Sequence, residues 1–271
     1  MPTEIDLLPD PNEALALQTR ATRAPAVFGD RPALEIEYSS RGDRVPGHVL
    51  LPESNDKPHP LVILQHGLNG SRSAEYMAAA SRWADGGAAV ASIDFPLHGD
   101  RASAKMSERL SNSAGNAVAG RGLDRVETLL WTEFARQSVL DLQRLVDALE
   151  QIEALDTKRL VYVGFSLGGI LGSVYCAVDD RPRAAAFAIA GAGRNGAPLD
   201  ALGYIGKIAP RPLLFVNAEN DETISRKQTE RFYEAANDPK EIHWYDSGHT
   251  NLPGIALKKI WQFASEHIGL G

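Results

Sequence analysis

The sequence predicts a single α/β domain spanning residues 1–271: a mostly parallel, twisted sheet of about eight strands with helices on both faces. Three observations carry this expectation. Short apolar runs alternate along the chain with longer segments of helical periodicity, the order that builds strand–helix–strand units. Most of these runs are apolar throughout instead of alternating, as strands covered on both faces must be. The 271 residues are 44% hydrophobic and 23% charged, an ordinary globular composition, with no internal repeat and no linker to divide them.

Ala33–Tyr38 and Val45–Leu51 read as an antiparallel pair at one edge, joined by a turn around Arg41-Gly42-Asp43. Leu61–Gln65 is an apolar strand following Pro60. Ser71–Asp85 reads as a helix, with Ser71 able to cap its start and Gly86-Gly87 able to end it. Ala88–Asp94, Leu160–Gly164, Ala184–Ala190, Leu213–Asn217 and Glu241–Tyr245 continue the strands. Helical patterns fall at Thr132–Ile152, Leu167–Val178, Ser225–Asn237 and Leu252–Ile268. In the first of these, Leu142, Leu145, Val146, Leu149 and Ile152 recur on one helix face. One segment breaks the rhythm. Pro96–Trp131 holds no strand pattern, is rich in Ser, Asn and Gly, and far exceeds the usual connection of about 4–6 residues; it reads as a binding loop or lid.

Charge and cysteine content exclude several classes. The net charge is −7, and phosphate contacts need a basic surface, so nucleic acid is not an expected partner. One cysteine, Cys176, rules out an internal disulfide and a cysteine-built zinc cluster. No apolar run reaches the roughly 18 residues of a membrane span. The first residues carry acids and Pro9 and Pro11 in place of a basic start and an apolar run, so no secretory leader is expected and the expected compartment is the cytoplasm. The oligomeric state is not legible.

The strongest chemical signal is Gly164-Phe165-Ser166-Leu167-Gly168. The pattern alone is suggestive and not decisive, but here it follows a strand and opens a helix, as a nucleophile elbow requires. A serine hydroxyl is a weak nucleophile and needs a base. Of seven histidines, His249 follows the last strand and precedes the last helix, at the same sheet edge as Ser166. The base needs an acid to hold its tautomer; Asp221 is the choice in the loop after Leu213–Asn217, with Glu219 and Glu222 as competitors. The oxyanion needs backbone donors. Leu167 N–H follows the nucleophile, and Leu68 N–H lies in the loop His66-Gly67-Leu68-Asn69-Gly70, which His66 is expected to hold in place. Phe95, Trp131 and Leu110 are candidates for the substrate pocket, although packing of the inserted segment explains the aromatics equally well. Arg101, Lys105, Arg109, Arg121 and Arg125 are interleaved with acids and read as a solvated mixed-charge face.

Taken in order, His66-Gly67-Leu68, Gly164–Gly168, Asp221 and Ser247-Gly248-His249 resemble the α/β-hydrolase superfamily. Asp94-Phe95-Pro96-Leu97-His98-Gly99 looks like its D-x-P-x-H-G stretch. The resemblance covers about Ala33 to Ile268 and is greatest to serine esterases of the dienelactone-hydrolase and prolyl-oligopeptidase-like branch, with a short cap at residues 96–131. The chain departs from dienelactone hydrolase itself, which has Cys where Ser166 stands. It departs from haloalkane dehalogenases, which have Asp there, and it has no propeller domain. The resemblance implies a carboxylesterase acting on small to medium ester substrates through an acyl-enzyme on Ser166, with no metal or organic cofactor. The same triad serves a thioesterase, an amidase or a short-peptide hydrolase. A noncatalytic hydrolase-fold binding protein would have lost one of the three positions, and none is lost.

Overall fold

The computed structural model describes residues 6–54, 58–118, 121–192 and 199–270. Its strands are β1 (Gln18–Arg23), β2 (Pro32–Ser40), β3 (Asp43–Leu50), β4 (His59–Gln65), β5 (Ala89–Ile93), β6 (Leu155–Phe165), β7 (Ala184–Ala188), β8 (Leu213–Ala218) and β9 (Lys240–Tyr245). Its helices are α1 (Ala79–Asp85), α2 (Ala104–Val118), α3 (Arg125–Leu149), α4 (Leu167–Val178), α5 (Arg226–Ala235) and α6 (Gly254–His267). One sheet runs in the order β1-β2-β3-β5-β4-β6-β7-β8-β9. β1, β2, β3 and β5 pair antiparallel, and every pairing from β5 onward through β9 is parallel.

The continuous apolar runs have a direct structural counterpart. Alternate residues of one strand point to opposite faces, so each central strand feeds two cores. Leu61 and Ile63 of β4, Tyr162 of β6 and Phe215 of β8 pack with Val139 and Leu142 of α3, Leu171 of α4 and Phe232 of α5. Val62, Leu64, Val161, Val163 and Leu214 pack with Trp83 of α1 and Ile260 and Phe263 of α6. Polar residues at either set of positions would be buried without partners.

The departures from expectation have local causes. The sheet has nine strands among the described residues, because β1 carries no apolar signal: its residues, Gln-Thr-Arg-Ala-Thr-Arg, are exposed at all but one position. It is an edge strand held by its ladder to β2, with Arg20 also paired to Glu35 across the strands. Ser71 does not cap a helix. Residues Glu75–Ala78 form a 3-10 turn, α1 begins only at Ala79, and the Ser71 hydroxyl accepts a bond from Ser73 N–H at 3.3 Å instead. α3 begins seven residues before Thr132, under a capping box in which Asp124 accepts from Glu127 N–H and Glu127 accepts from Asp124 N–H. That D-x-x-E signal was readable, but the exposed Val126 and Leu129 blur the apolar face beside it.

The long segment after β5 is helical. It consists of a 3-10 turn at Gly99–Arg101, then α2, then the first turns of α3. α2 turns Leu110, Ser113 and Ala114 inward, and its buried Ser113 hydroxyl bonds back to Leu110 C=O at 2.8 Å. Of the glycines expected to loosen this segment, Gly115 lies within α2 and Gly122 between the helices, while Gly120 lies outside the described residues. Arg101 bridges this segment to the body through the buried Asp141 (2.6 Å) and the Asp94 carbonyl (3.1 Å). Arg121 is engaged by Asn116, whereas Lys105, Arg109 and Arg125 face solvent.

Candidate active site

Four strand ends deliver the chemistry to one edge of the sheet. β6 runs through Phe165 into Ser166 and directly into α4, with Ser166 at φ +49° and ψ −112°. A side chain at positive φ is strained and persists only where its surroundings impose it. Here they do, because Ser166 N–H is bound to Ala188 C=O at 2.8 Å and two glycines permit the close turn. A Cβ at Gly164 would lie 2.4 Å from the Gly168 backbone, and one at Gly168 would lie 2.6 Å from Gln65 C=O.

The loop after β9 places His249 Nε2 at 3.0 Å from Ser166 Oγ. The loop after β8 places Asp221 Oδ2 at 2.7 Å from His249 Nδ1. The other carboxylate oxygen of Asp221 accepts Thr223 N–H (2.8 Å) and Ile224 N–H (2.7 Å). Burial pushes the Asp221 carboxyl up, but the bonds from His249 and the two amides outweigh it and hold the group below the ordinary carboxylate range. Of the competing acids, Glu222 accepts the backbone N–H of His249 at 3.2 Å, and Glu219 is exposed. Asn220 ties the two loops together through Asp246 (2.8 Å) and the Ser247 carbonyl (3.0 Å).

The loop after β4 faces Ser166 from the other side. Leu68 N–H has no acceptor among the described residues, and its direction follows from the rest of its peptide plane. The carbonyl of that same plane, Gly67 C=O, is held by His66 Nδ1–H at 2.8 Å and by Gly70 N–H at 3.1 Å. A trans peptide points its N–H opposite its C=O. The second ring nitrogen of His66 completes the anchor. Nε2 accepts Phe95 N–H at 3.1 Å, and burial pushes the His66 pKa down to about 3, so one neutral tautomer is fixed. Leu167 opens α4 and has no intrahelical acceptor for its N–H.

Two cavities meet at the Ser166–His249 pair. The first, about 270 Å³, is lined by Gly67, Leu68, Tyr76, Phe165, Ile189 and Leu252, among others. The second, about 380 Å³, runs beneath α2 and is lined by Ser111, Ala114, Gly115 and Val118 with Trp131, Leu167 and Ile224. Trp131 is fixed by Nε1–H donating to Ser113 Oγ at 2.8 Å. Phe95 and Leu110 line neither cavity. They are 0% and 1% exposed and pack in the core, Phe95 against His66 and Phe134; apolar character marked them, but it marks core packing as readily as a pocket wall. Sequence reasoning did not single out Tyr76, whose hydroxyl accepts Gly67 N–H at 3.0 Å. Its only signal was the glycine at position 70, where a Cβ would lie 2.2 Å from that hydroxyl. Among the described residues, no group of three His, Cys, Asp or Glu side chains is placed to hold a metal ion, and no helix is long and apolar enough to cross a membrane.

Residues 31–190 match the model of the acetyl xylan esterase (AXE1) family. No curated protein matches the chain. Among solved structures, an acetyl xylan esterase from Paenibacillus sp. R4 superposes with a TM-score of 0.73 at 18% identity, covering 94% of this chain and 89% of that one. A cold-adapted esterase from an Arctic intertidal metagenomic library superposes at 0.70 with 21% identity, covering 92% and 97%. A candidate dienelactone hydrolase from Klebsiella pneumoniae superposes at 0.64 with 19% identity, covering 94% and 99%. At these identities the superpositions establish the fold they share with this chain, the α/β-hydrolase fold.

Proposed function

Since the chain belongs to the acetyl xylan esterase family, and is thereby a carboxylesterase-type serine hydrolase, we propose that Ser166 is its nucleophile, His249 its general base and acid, and Asp221 the carboxylate that orients the imidazole. The observation that carries this reading is the unbroken chain Asp221–His249–Ser166 at 2.7 and 3.0 Å, ending on a serine at positive φ.

The geometry gives each step a group. Ser166 Oγ attacks the ester carbonyl while His249 Nε2 takes its proton. The carbonyl oxygen, now negative, lies against Leu68 N–H and Leu167 N–H. Asp221 holds Nδ1–H and stabilises the imidazolium, which then protonates the departing alcohol. Water repeats the sequence on the acyl-enzyme, releasing the acid and Ser166. α2 and Trp131 act as the cap, walling the cavity on one side of the nucleophile. The substrates are small to medium esters, with acetyl esters first to be tried because the Paenibacillus neighbour is an acetyl xylan esterase. A cytoplasmic setting accords with a single cysteine that is buried and unpaired. A panel of p-nitrophenyl esters, with a phosphonate probe mapped by mass spectrometry to Ser166, tests the reading; labelling elsewhere with turnover intact overturns it.

The pH profile follows from which groups titrate. Asp221 lies below the ordinary carboxylate range and stays ionised where a histidine loses its proton, between about pH 5 and 8. For an ester whose chemistry limits the rate, kcat/KM should therefore fall at acid pH, where a general base is protonated, and level off above it. A flat profile from about pH 5 to 9 contradicts the base assignment.

The cap role can be read by filling the space beneath α2. A Cβ at Gly115 meets nothing within 4 Å, and the residue lines the larger cavity. Gly115→Phe should lower kcat/KM for bulky esters at least about 10-fold more than for p-nitrophenyl acetate, while helix stability holds or rises because glycine is a poor interior residue. Equal effects across the panel would show that substrate does not use this cavity.

A further inference from the structure

The Tyr76 phenol is a polar group in a cavity wall whose other side chains, apart from Ser166, His249 and Thr250, are apolar. Its ring packs edge-on against Phe165 (5.9 Å, 75°), the residue preceding the nucleophile. The residue is partly exposed, but its hydroxyl accepts Gly67 N–H at 3.0 Å and fills the space beside Gly70. An oxygen that accepts this bond directs its own hydrogen elsewhere, and among the described residues that hydrogen has no acceptor. The residue lines the same cavity as Ser166, His249 and Thr250, none of which bonds its hydroxyl, and the other side chains there, Leu68, Phe165, Ile189, Leu252 and Leu257, carry no polar atom.

We propose that Tyr76 is the specificity-determining donor of this site, giving its phenolic hydrogen to an oxygen carried by the substrate group that occupies the cavity of about 270 Å³. The proposal rests on Ser166 being the nucleophile and adds the class of ester preferred: one whose group in this cavity bears an ether, hydroxyl or acyloxy oxygen. An all-carbon group there would displace water from the phenol and leave its hydrogen unpaired. A site with a committed donor rejects the analogue that lacks the acceptor, whereas an apolar pocket distinguishes such pairs poorly.

Tyr76→Phe keeps the ring and removes the donor. Two isosteric ester pairs read the effect: p-nitrophenyl methoxyacetate against p-nitrophenyl butyrate, and 2-methoxyethyl acetate against butyl acetate. The first pair varies the acyl side and the second the alcohol side. In at least one pair, the variant should lower kcat/KM for the oxygen-bearing ester about 3- to 10-fold relative to its carbon isostere. Loosening of the loop at Gly67 would lower both members alike and cancels in the ratio. Phosphonate labelling of the variant should still map to Ser166, which shows the nucleophile in place. Unchanged ratios in both pairs overturn the proposal and leave Tyr76 as a support of the loop alone. Absence of Ser166-dependent turnover of all four esters would overturn the nucleophile assignment, and this proposal with it.

Discussion

Ser166→Ala is expected to abolish measurable ester hydrolysis, lowering kcat by about 10⁴- to 10⁶-fold, while melting within a few degrees of the parent. The activity loss follows from chemistry: no second hydroxyl lies against His249 Nε2 among the described residues, so nothing takes over the attack. The small stability effect follows from geometry. The hydroxyl makes one side-chain bond, to His249, while the backbone is held independently by Ala188 C=O and by the glycines on either side. Alanine carries the same Cβ and so adds no strain at φ +49°. Turnover near the parental level in a folded Ser166→Ala protein would remove the serine mechanism. Loss of the fold would instead show that the hydroxyl braces the elbow.

Asp221→Asn is expected to lower kcat by about 10⁴-fold, with Glu222→Gln and Glu219→Gln within about 10-fold of the parent. The hydrogen-bond pattern around the acid explains the asymmetry. Thr223 N–H and Ile224 N–H both donate to one oxygen of Asp221. In an asparagine, that position must be taken by the carbonyl oxygen, because an amide NH₂ cannot accept. The NH₂ is then turned towards His249 Nδ1, which must accept, and the imidazole proton moves to Nε2, facing Ser166. The base is present in the wrong tautomer. Glu222 receives a backbone N–H, which a glutamine carbonyl accepts as well. Measured kcat/KM with melting temperatures decides the matter, and nitrogen NMR of the His249 ring reads the tautomer directly. Greater damage from Glu222→Gln than from Asp221→Asn would mean the acid is misassigned.

The strands and helices buried in the two cores were legible because burial on both faces imposes continuous apolar runs. α4 begins at Leu167 and ends at Val178 in sequence expectation and structure alike. Elements whose stability comes from elsewhere were not legible. β1 exists through its ladder to β2, with exposed side chains. α2 reads as loop because Ser, Asn and Gly are turn formers in isolation; its inward face, Leu110, Ser113 and Ala114, becomes apolar contact only once α3 lies beneath it.

The same division runs through the site. By itself, the sequence determined which segments reach the C-terminal edge of the sheet, and hence that Ser166, His249, the Glu219–Glu222 loop and the His66–Gly70 loop lie near one another. The apolar run of a strand and the helical period that follows it are local properties of the chain, and in a parallel sheet they place the loop between them at the C-terminal edge. Only the tertiary structure decided which atoms meet there. It set Asp221 instead of its neighbours against His249 and fixed its other oxygen on two amides, anchored the Gly67–Leu68 peptide through Gly67 C=O, put Trp131 on a cavity wall and Phe95 and Leu110 in the core, and brought in Tyr76 from a turn that carries no motif. Those choices depend on side-chain direction at about the 1 Å scale, which is set by contacts between residues far apart in the chain and so is not written in any one segment of it.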